Sequence, residues 1–297
     1  MFFTYNYFRQ HNDDKKIENH KEFYKKFSNT REFGGSYTHY DHLIASRFSD
    51  ISGHMSNIIL RKIPKNIIDL GCGSGINLPL SNIFPNMKYT GIDYAEKTIE
   101  NSKKLYPKID FHVMDIFDLK FEDSVFDLAI ISSVLILYKD EKDRIKILKE
   151  LTRILKKDGV GVLIVYKDSF LLKISIKISR LIAKYKKIKL PEDFMAVHFT
   201  KNDMKKFINK TDLEIIETIH TATNFGILES VRYLNMSKYK RSFGADEKQS
   251  EYEKNQNILQ DLKNQSNSNL LTSFYYNIAK IFPSLFQFYS IYVVKKK

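Results

Sequence analysis

The sequence predicts an α/β fold built on a parallel sheet, and three observations carry that expectation. From residue 64 to residue 166, short branched apolar runs alternate with amphipathic stretches at helical spacing. A glycine-rich bend, "GCGSG" (71–75), follows the first apolar run. The first three runs finish at aspartates, Asp69, Asp93 and Asp115. Strands that alternate with helices pair in parallel through right-handed crossovers.

The elements are taken in order. "NIIDL" (66–70) reads as the first strand, followed by the glycine bend and a helix from near Gly75 to just before Pro85. "MKYTGID" (87–93) is the second strand, and "AEKTIENSKKLY" a helix stopped by Pro107. "DFHVMD" (110–115) and "FDLAIIS" (126–132) are strands three and four. "DEKDRIKILKELTRILKKDG" carries apolar residues at 145, 148, 151, 154 and 155, a helical period, and its Lys-Lys-Asp-Gly ending reads as a helix stop. "GVGVLIVYK" (159–167) is a fifth strand, unbroken in apolar character and so buried on both faces. "FTKNDMKKFINK" is a short helix with Thr200 as N-cap, leading into a sixth strand at 212–220. Residues 235–270 are polar and read as an exposed helical excursion, and "FQFYSIYVV" (286–294) as the last strand.

Hydrophobic content of 43%, with 22 Phe and 18 Tyr, supplies an ample core for 297 residues. The single cysteine, Cys72, excludes a disulfide framework and a Cys-rich zinc site, and fits a reducing compartment. "MFFTYNYFRQHNDDKK" lacks the pattern of a secretory signal, and the longest apolar run, "FDLAIISSVLIL", is too short to span a bilayer. The expected location is therefore cytoplasmic, with at most a peripheral membrane contact. Lys+Arg 48 against Asp+Glu 35 gives a charge of +13. Two readings stand: a polyanionic partner, or the composition of a Lys-, Asn- and Ile-rich chain. Only local clustering of charge separates them.

A glycine bend between a strand and a helix lets ligand atoms lie against the backbone. Here the glycines are Gly71, Gly73 and Gly75, a G-x-G-x-G spacing rather than the G-x-G-x-x-G that seats a pyrophosphate. Asp69 precedes them, and a carboxylate there repels a pyrophosphate but attracts ammonium and sulfonium charges. The bend thus points to a cationic guest. Asp93 stands where a strand-tip carboxylate accepts from both ribose hydroxyls, Tyr94 can lie against an adenine face, and Asp115 can take the adenine amino group. Each aspartate alone could be a turn residue. Three in series with the bend favour a ligand.

"IIDLGCGSG", "YTGIDYAEK", "FHVMDIFDL", "FDLAIISSVLILY" and "LKELTRILKKDGVGVLIV" together resemble the consecutive motifs of class I S-adenosylmethionine-dependent methyltransferases, particularly the small-molecule group that includes the quinone-biosynthesis enzymes. The resemblance implies a Rossmann-like, doubly wound seven-stranded sheet with helices on both faces. Its last strand would run antiparallel between strands five and six. It further implies that Asp69 and the Gly71, Cys72, Gly73 and Gly75 backbone hold the methionine part. Asp93 would then hold the ribose, Asp115 and the Ile116 amide the adenine, and Ser132 would line the methionine end. The implied product is S-adenosylhomocysteine. The expected organisation is an N-terminal helical lid (1–60) and a methyltransferase domain (61–297). The latter comprises a cofactor core (64–167), an acceptor-side cap (168–211) and a polar helical insertion (about 227–285).

The sulfonium carries its own leaving group, so alignment of an acceptor can suffice and no catalytic residue is obligatory. "ISSVLIL" after strand four is not the Asn/Asp-Pro-Pro-aromatic turn of exocyclic-amine methylases. Cys72 sits in the glycine bend rather than where a carbon-5 pyrimidine nucleophile belongs. No acidic cluster follows strand four to hold magnesium. An O or C atom of a small or lipid-linked acceptor is the expected target, and nucleic acid is disfavoured. Two residues outside the core are weak candidates for catalysis. Tyr40 lies in "GGSYTHYDHLIASRF" (34–48), a segment that folds over the cofactor in related enzymes, and His198 lies in "MAVHFT". His39, Asp41 and His42 point in different directions on a helix, so no metal site is expected. Rival readings are an NAD-type oxidoreductase, an RNA methyltransferase, and a relative that binds cofactor without catalysis.

In "SFLLKISIKISRLIAKYKKIKL" (169–190), apolar residues and lysines each recur at helical spacing on neighbouring faces. Such a helix either packs its apolar side on the sheet or lies in an anionic membrane interface.

Overall fold

The computed structural model describes residues 42–73, 86–168, 197–223 and 287–297, together with positions 170, 173, 174, 177, 181 and 185. The helix expected after the glycine bend, the residues Tyr40, His39 and Gly75, and the excursion at 235–270 lie outside the described residues.

The described elements run α1 (His42–Lys62), β1 (Asn66–Leu70), β2 (Lys88–Asp93), α2 (Glu96–Leu105), β3 (Asp110–Val113) and β4 (Phe126–Ser132). A short 3-10 turn (Leu135–Leu137) leads to α3 (Glu141–Ile154), then β5 (Leu155–Tyr166), α4 (Lys201–Ile208), β6 (Leu213–Thr223) and β7 (Gln287–Lys296). The seven strands form one sheet in the order β3-β2-β1-β4-β5-β7-β6. The β1–β2, β1–β4, β2–β3 and β4–β5 pairs are parallel, and β7 runs antiparallel to β5. Order reverses between β1 and β4, and in open α/β sheets the ligand crevice opens there, at the strands' carboxyl ends.

Alternation along the strands divides the core into two layers. On one face Ile67, Leu128, Ile130 and Val162 pack with Met55, Ile58 and Ile59 of α1 and Ile99 of α2. On the other, Ile68, Leu70, Ile131 and Leu163 pack with Leu148 and Leu151 of α3 and Met204, Phe207 and Ile208 of α4. Each such side chain stabilises the fold by about 1.5–3 kcal/mol. Helices therefore cover both faces. The boundary expected at residue 60 falls inside α1, whose Ile51, Met55, Ile58 and Ile59 are core residues.

Two sequence expectations need correction. The Lys156–Gly159 stretch does not stop a helix; α3 ends at Ile154 and β5 begins at Leu155, in extended conformation. The Ser124 and Val125 amides donate to the Arg153 and Ile154 carbonyls, taking two orphan acceptors of the last turn. Register then jumps from Phe126↔Leu155 to Leu128↔Val160, so 156–159 bulge out of the ladder. Gly159 is small because a Cβ there would lie 2.8 Å from the Phe126 carbonyl oxygen, not because it caps a helix. Second, β3 ends at Val113 rather than at Asp115. Met114 still donates its amide to the Asp93 carbonyl, and Asp115 stands in the turn beyond.

Thr200 caps α4 as expected: its hydroxyl accepts from the Asp203 amide, and the Asp203 carboxylate accepts from the Thr200 amide. The chain divides into two compact units, one of residues 1–168, 187–222 and 288–297, the other of 169–186 and 223–287. Everything described so far belongs to the first, apart from Thr223 and Gln287, the end residues of β6 and β7.

Candidate functional site

The site begins where β1 meets its bend. Gly71 and Gly73 both take left-handed backbone angles, φ +80 and +53, which side chains disfavour. The Gly71 and Cys72 amides each donate to the Ile92 carbonyl at 2.8 Å, holding the bend beside the tip of β2. The Gly73 amide donates to Asp93 Oδ2 at 3.0 Å, and Ser102 Oγ of α2 donates to the Gly73 carbonyl at 3.2 Å. A Cβ on Gly71 would collide with Val134 Cγ2 at 2.5 Å, so the turn after β4 sits directly on the bend. A Cβ on Gly73 would meet no atom of the described residues within 4 Å. Among those residues the bend is clamped at Gly71 and not at Gly73.

Asp69 lies beneath the bend, 0% exposed, on the layer that holds Ile67 and Tyr89. Tyr89 donates its hydroxyl to Asp69 Oδ2 at 2.6 Å. Gly91, opposite Asp69 in the ladder, makes room for the Phe111 ring and the Cys72 sulfur, which an added Cβ would meet at 2.7 and 3.0 Å. Burial, then the charges of Asp69 and Asp93, push the Cys72 thiol well above its usual range.

Asp93 closes β2 with Oδ1 accepting from the Ala95 amide at 2.9 Å. Burial raises its carboxyl above the ordinary range, although the Ala95, Gly73 and Tyr94 amides pull the other way. Asp115 Oδ1 accepts from the Phe117 amide at 3.1 Å, and the Ile116 side chain is buried in the core. The predicted residues Asp69, Gly71, Cys72, Gly73, Asp93, Tyr94, Asp115 and Ile116 therefore follow β1, β2 and β3 along one sheet edge. Ser132 ends β4 on that edge, opposite Ile164 of β5.

Ser133 and Tyr138 give no sequence signal, whereas His198 is a candidate from the sequence. Ser133 has a positive φ of 58, and its amide donates to the Ile164 carbonyl at 2.9 Å. Tyr138 packs edge-on against Phe117, centroids 5.1 Å apart. Its hydroxyl is pushed up by burial and then by Asp115, Asp143 and Asp93, which places it within the field of two site carboxylates. On the β5 side, His198 stacks on Tyr166 at 5.7 Å with 23° between rings, and Tyr166 meets Tyr289 edge-on at 5.2 Å. The segment carrying His198 is tied down by Val197 N to Ile136 O and Phe199 N to Tyr166 O, at 2.8 and 2.9 Å. Arg144 of α3 braces it from below: its guanidinium lies 5.2 Å from the Phe199 ring and 5.1 Å from Phe207, and donates to the Tyr138 and Lys139 carbonyls. Among the described residues, no group of His, Cys, Asp and Glu could hold a metal ion.

Residues 67–159 match the family model described as a methyltransferase domain. A demethylmenaquinone methyltransferase of Thermotoga maritima is 31% identical over 103 residues, 34% of this chain and 44% of that protein. A solved SAM-dependent methyltransferase from Methanosarcina mazei is 27% identical with a TM-score of 0.47, covering 55% of this chain and 87% of that one. The PH0226 protein of Pyrococcus horikoshii OT3 shares the fold, with a TM-score of 0.50 at 16% identity over 67% of this chain and 93% of that one. The strand order and the glycine bend are those that the resemblance to class I methyltransferases implied. Residues 67–159 thus match a methyltransferase domain, and the chain spans less than half the length of the curated relatives it matches.

Proposed function

We propose that the chain transfers a methyl group from S-adenosylmethionine to an O or C atom of a small or lipid-linked acceptor. The observation that carries this reading is the pair of carboxylates at a bare peptide bend, Asp69 buried near the end of β1 and Asp93 accepting from the Gly73 amide at 3.0 Å. A cationic guest lowers its energy there, whereas a pyrophosphate raises it. Among the described residues, no atom lies within 4 Å of a Cβ built on Gly73, which leaves such a guest room.

Asp69 and the Gly71–Gly73 backbone would hold the methionine part, Asp93 the ribose hydroxyls, and Asp115 with the Ile116 amide the adenine. The Phe117–Tyr138 pair would wall the adenine end. The bound cofactor supplies an electrophilic methyl group with its leaving group already attached. The protein's own part is then alignment. Ser132 and Ser133 set the edge past which the acceptor approaches. His198, fixed against Tyr166, is the group placed to take an acceptor proton. The quinone-type acceptor in the name of the Thermotoga relative supports a small lipophilic target.

Calorimetric titration of the purified chain with S-adenosylhomocysteine and, separately, NAD tests the cofactor. Binding of the first alone is expected, weakened roughly 10- to 100-fold by Asp93→Ala, the loss of hydrogen bonds to a charged group. Heat with NAD alone would replace this reading with an oxidoreductase. Incubating fractionated extract with isotope-labelled cofactor, and identifying the labelled product by mass spectrometry, then finds the acceptor.

A further inference from the structure

Positions 170, 173, 174, 177, 181 and 185 are helical. At 3.6 residues per turn they fall within an arc of about 120° and span about 22 Å. In order across that arc stand Lys173, Lys177, Phe170, Leu181, Ile174 and Tyr185, so both lysines edge one side of an apolar stripe. This stripe does not pack away: Phe170 is 64% exposed, Leu181 66% and Tyr185 88%. Lys173 and Lys177 are exposed as well. Ordinary amphipathic packing would have buried Leu181 and Tyr185.

We propose that this face docks on the surface of an anionic lipid bilayer. Charge complementarity selects that occupant. No Asp or Glu stands anywhere from 169 to 190, in a chain with 35 acidic residues overall. An exposed apolar stripe with a basic margin lies in the headgroup boundary, its aromatic and aliphatic groups among the acyl chains and its lysines on the phosphates. An RNA would engage the lysines but leave Leu181 and Ile174 without a partner. No helix among the described residues is long and apolar enough to cross a membrane, and the proposed contact is a peripheral one. The proposal stands independently of the acceptor's identity.

The test is flotation of the full chain with vesicles of phosphatidylcholine alone and of equal parts phosphatidylcholine and phosphatidylglycerol. Binding to the anionic vesicles, reduced by salt, is expected. Lys173→Glu with Lys177→Glu is expected to weaken it by about tenfold or more. Leu181→Ser with Tyr185→Ser is expected to weaken it at every salt concentration. The chain contains no Trp, so Tyr185→Trp installs a single reporter whose emission should shift to the blue on the anionic vesicles and be quenched by brominated lipid. Thermal melts confirm that these surface variants fold. Failure to float, an unshifted reporter, or binding indifferent to both double variants overturns the proposal. So does a gel shift with RNA that the lysine variant abolishes while vesicles show no binding.

Discussion

Tyr89 donates its hydroxyl to Asp69 at 2.6 Å, across two strands and wholly inside the protein. A buried carboxylate is tolerated only while hydrogen-bonded. Tyr89→Phe keeps the ring and removes the donor, so it should destabilise the fold by about 1.5–3 kcal/mol. Urea denaturation followed by circular dichroism measures this; an unchanged midpoint would show that Tyr89 does not support the charge.

The clamp between Gly71 and Val134 makes a second prediction. Gly71→Ala adds both a left-handed strain of about 1–2 kcal/mol and a 2.5 Å collision with Val134 Cγ2. Val134→Ala removes the colliding atom, so the double variant should recover part of the loss, a coupling readable in a double-mutant cycle. Gly73→Ala meets no atom of the described residues and should cost the left-handed strain alone; if the bend seats the cofactor, the added methyl group should weaken S-adenosylhomocysteine binding in calorimetry. Additive losses at 71 and 134 would contradict the clamp.

Asp93 supplies a pH test. Its carboxyl is raised, chiefly by burial, so the folded chain holds this proton to higher pH than the unfolded one. Stability from this group grows as pH falls through the raised value, and the charged form is the costly one. Ribose hydroxyls donate more strongly to the charged carboxylate, which accepts at both oxygens, than to the protonated acid. Cofactor affinity should therefore fall as pH drops through the raised value, with proton release on binding there, and Asp93→Asn should flatten that dependence. Titration in buffers of different ionisation enthalpy measures the proton released.

Glu141 bridges α3 and α4 by accepting from Lys206 and Lys210. Those bonds lower its carboxyl from an ordinary 4.5 to about 2. A depressed acid contributes stability that is complete above 4.5 and disappears as pH falls towards 2. Glu141→Gln should lower the melting temperature modestly above pH 4.5, these groups being largely exposed, and the two proteins should converge as pH falls towards 2. An identical acid profile in both proteins would count against the bridge.

Much of this architecture is legible in the residues, and the exceptions have physical causes. β1, β2, β4 and β5 announce themselves because strands buried on both faces must be apolar throughout. The Lys156–Gly159 stretch misleads because Lys-Lys-Asp-Gly has the local chemistry of a helix end. The burial of Leu155 and the amides of Ser124 and Val125 decide otherwise. Ser133 takes a left-handed angle that serine does not advertise. His220 meets Ser290 at 3.0 Å over a separation of 70 residues, a pairing no local pattern encodes. Asp69 reads from sequence as a guard at the entrance. In the structure it is buried under the bend and accepts from the Tyr89 hydroxyl.

β7 lies between β5 and β6, although β6 comes first in the chain. The sheet cannot therefore be assembled in the order in which it is synthesised. Until β7 arrives, β5 presents an open row of amides and carbonyls, and β6 has no neighbour to join. The growing chain must carry a sticky margin from the completion of β5 until β7 arrives, and any cut that removes β7 forfeits two strands rather than one.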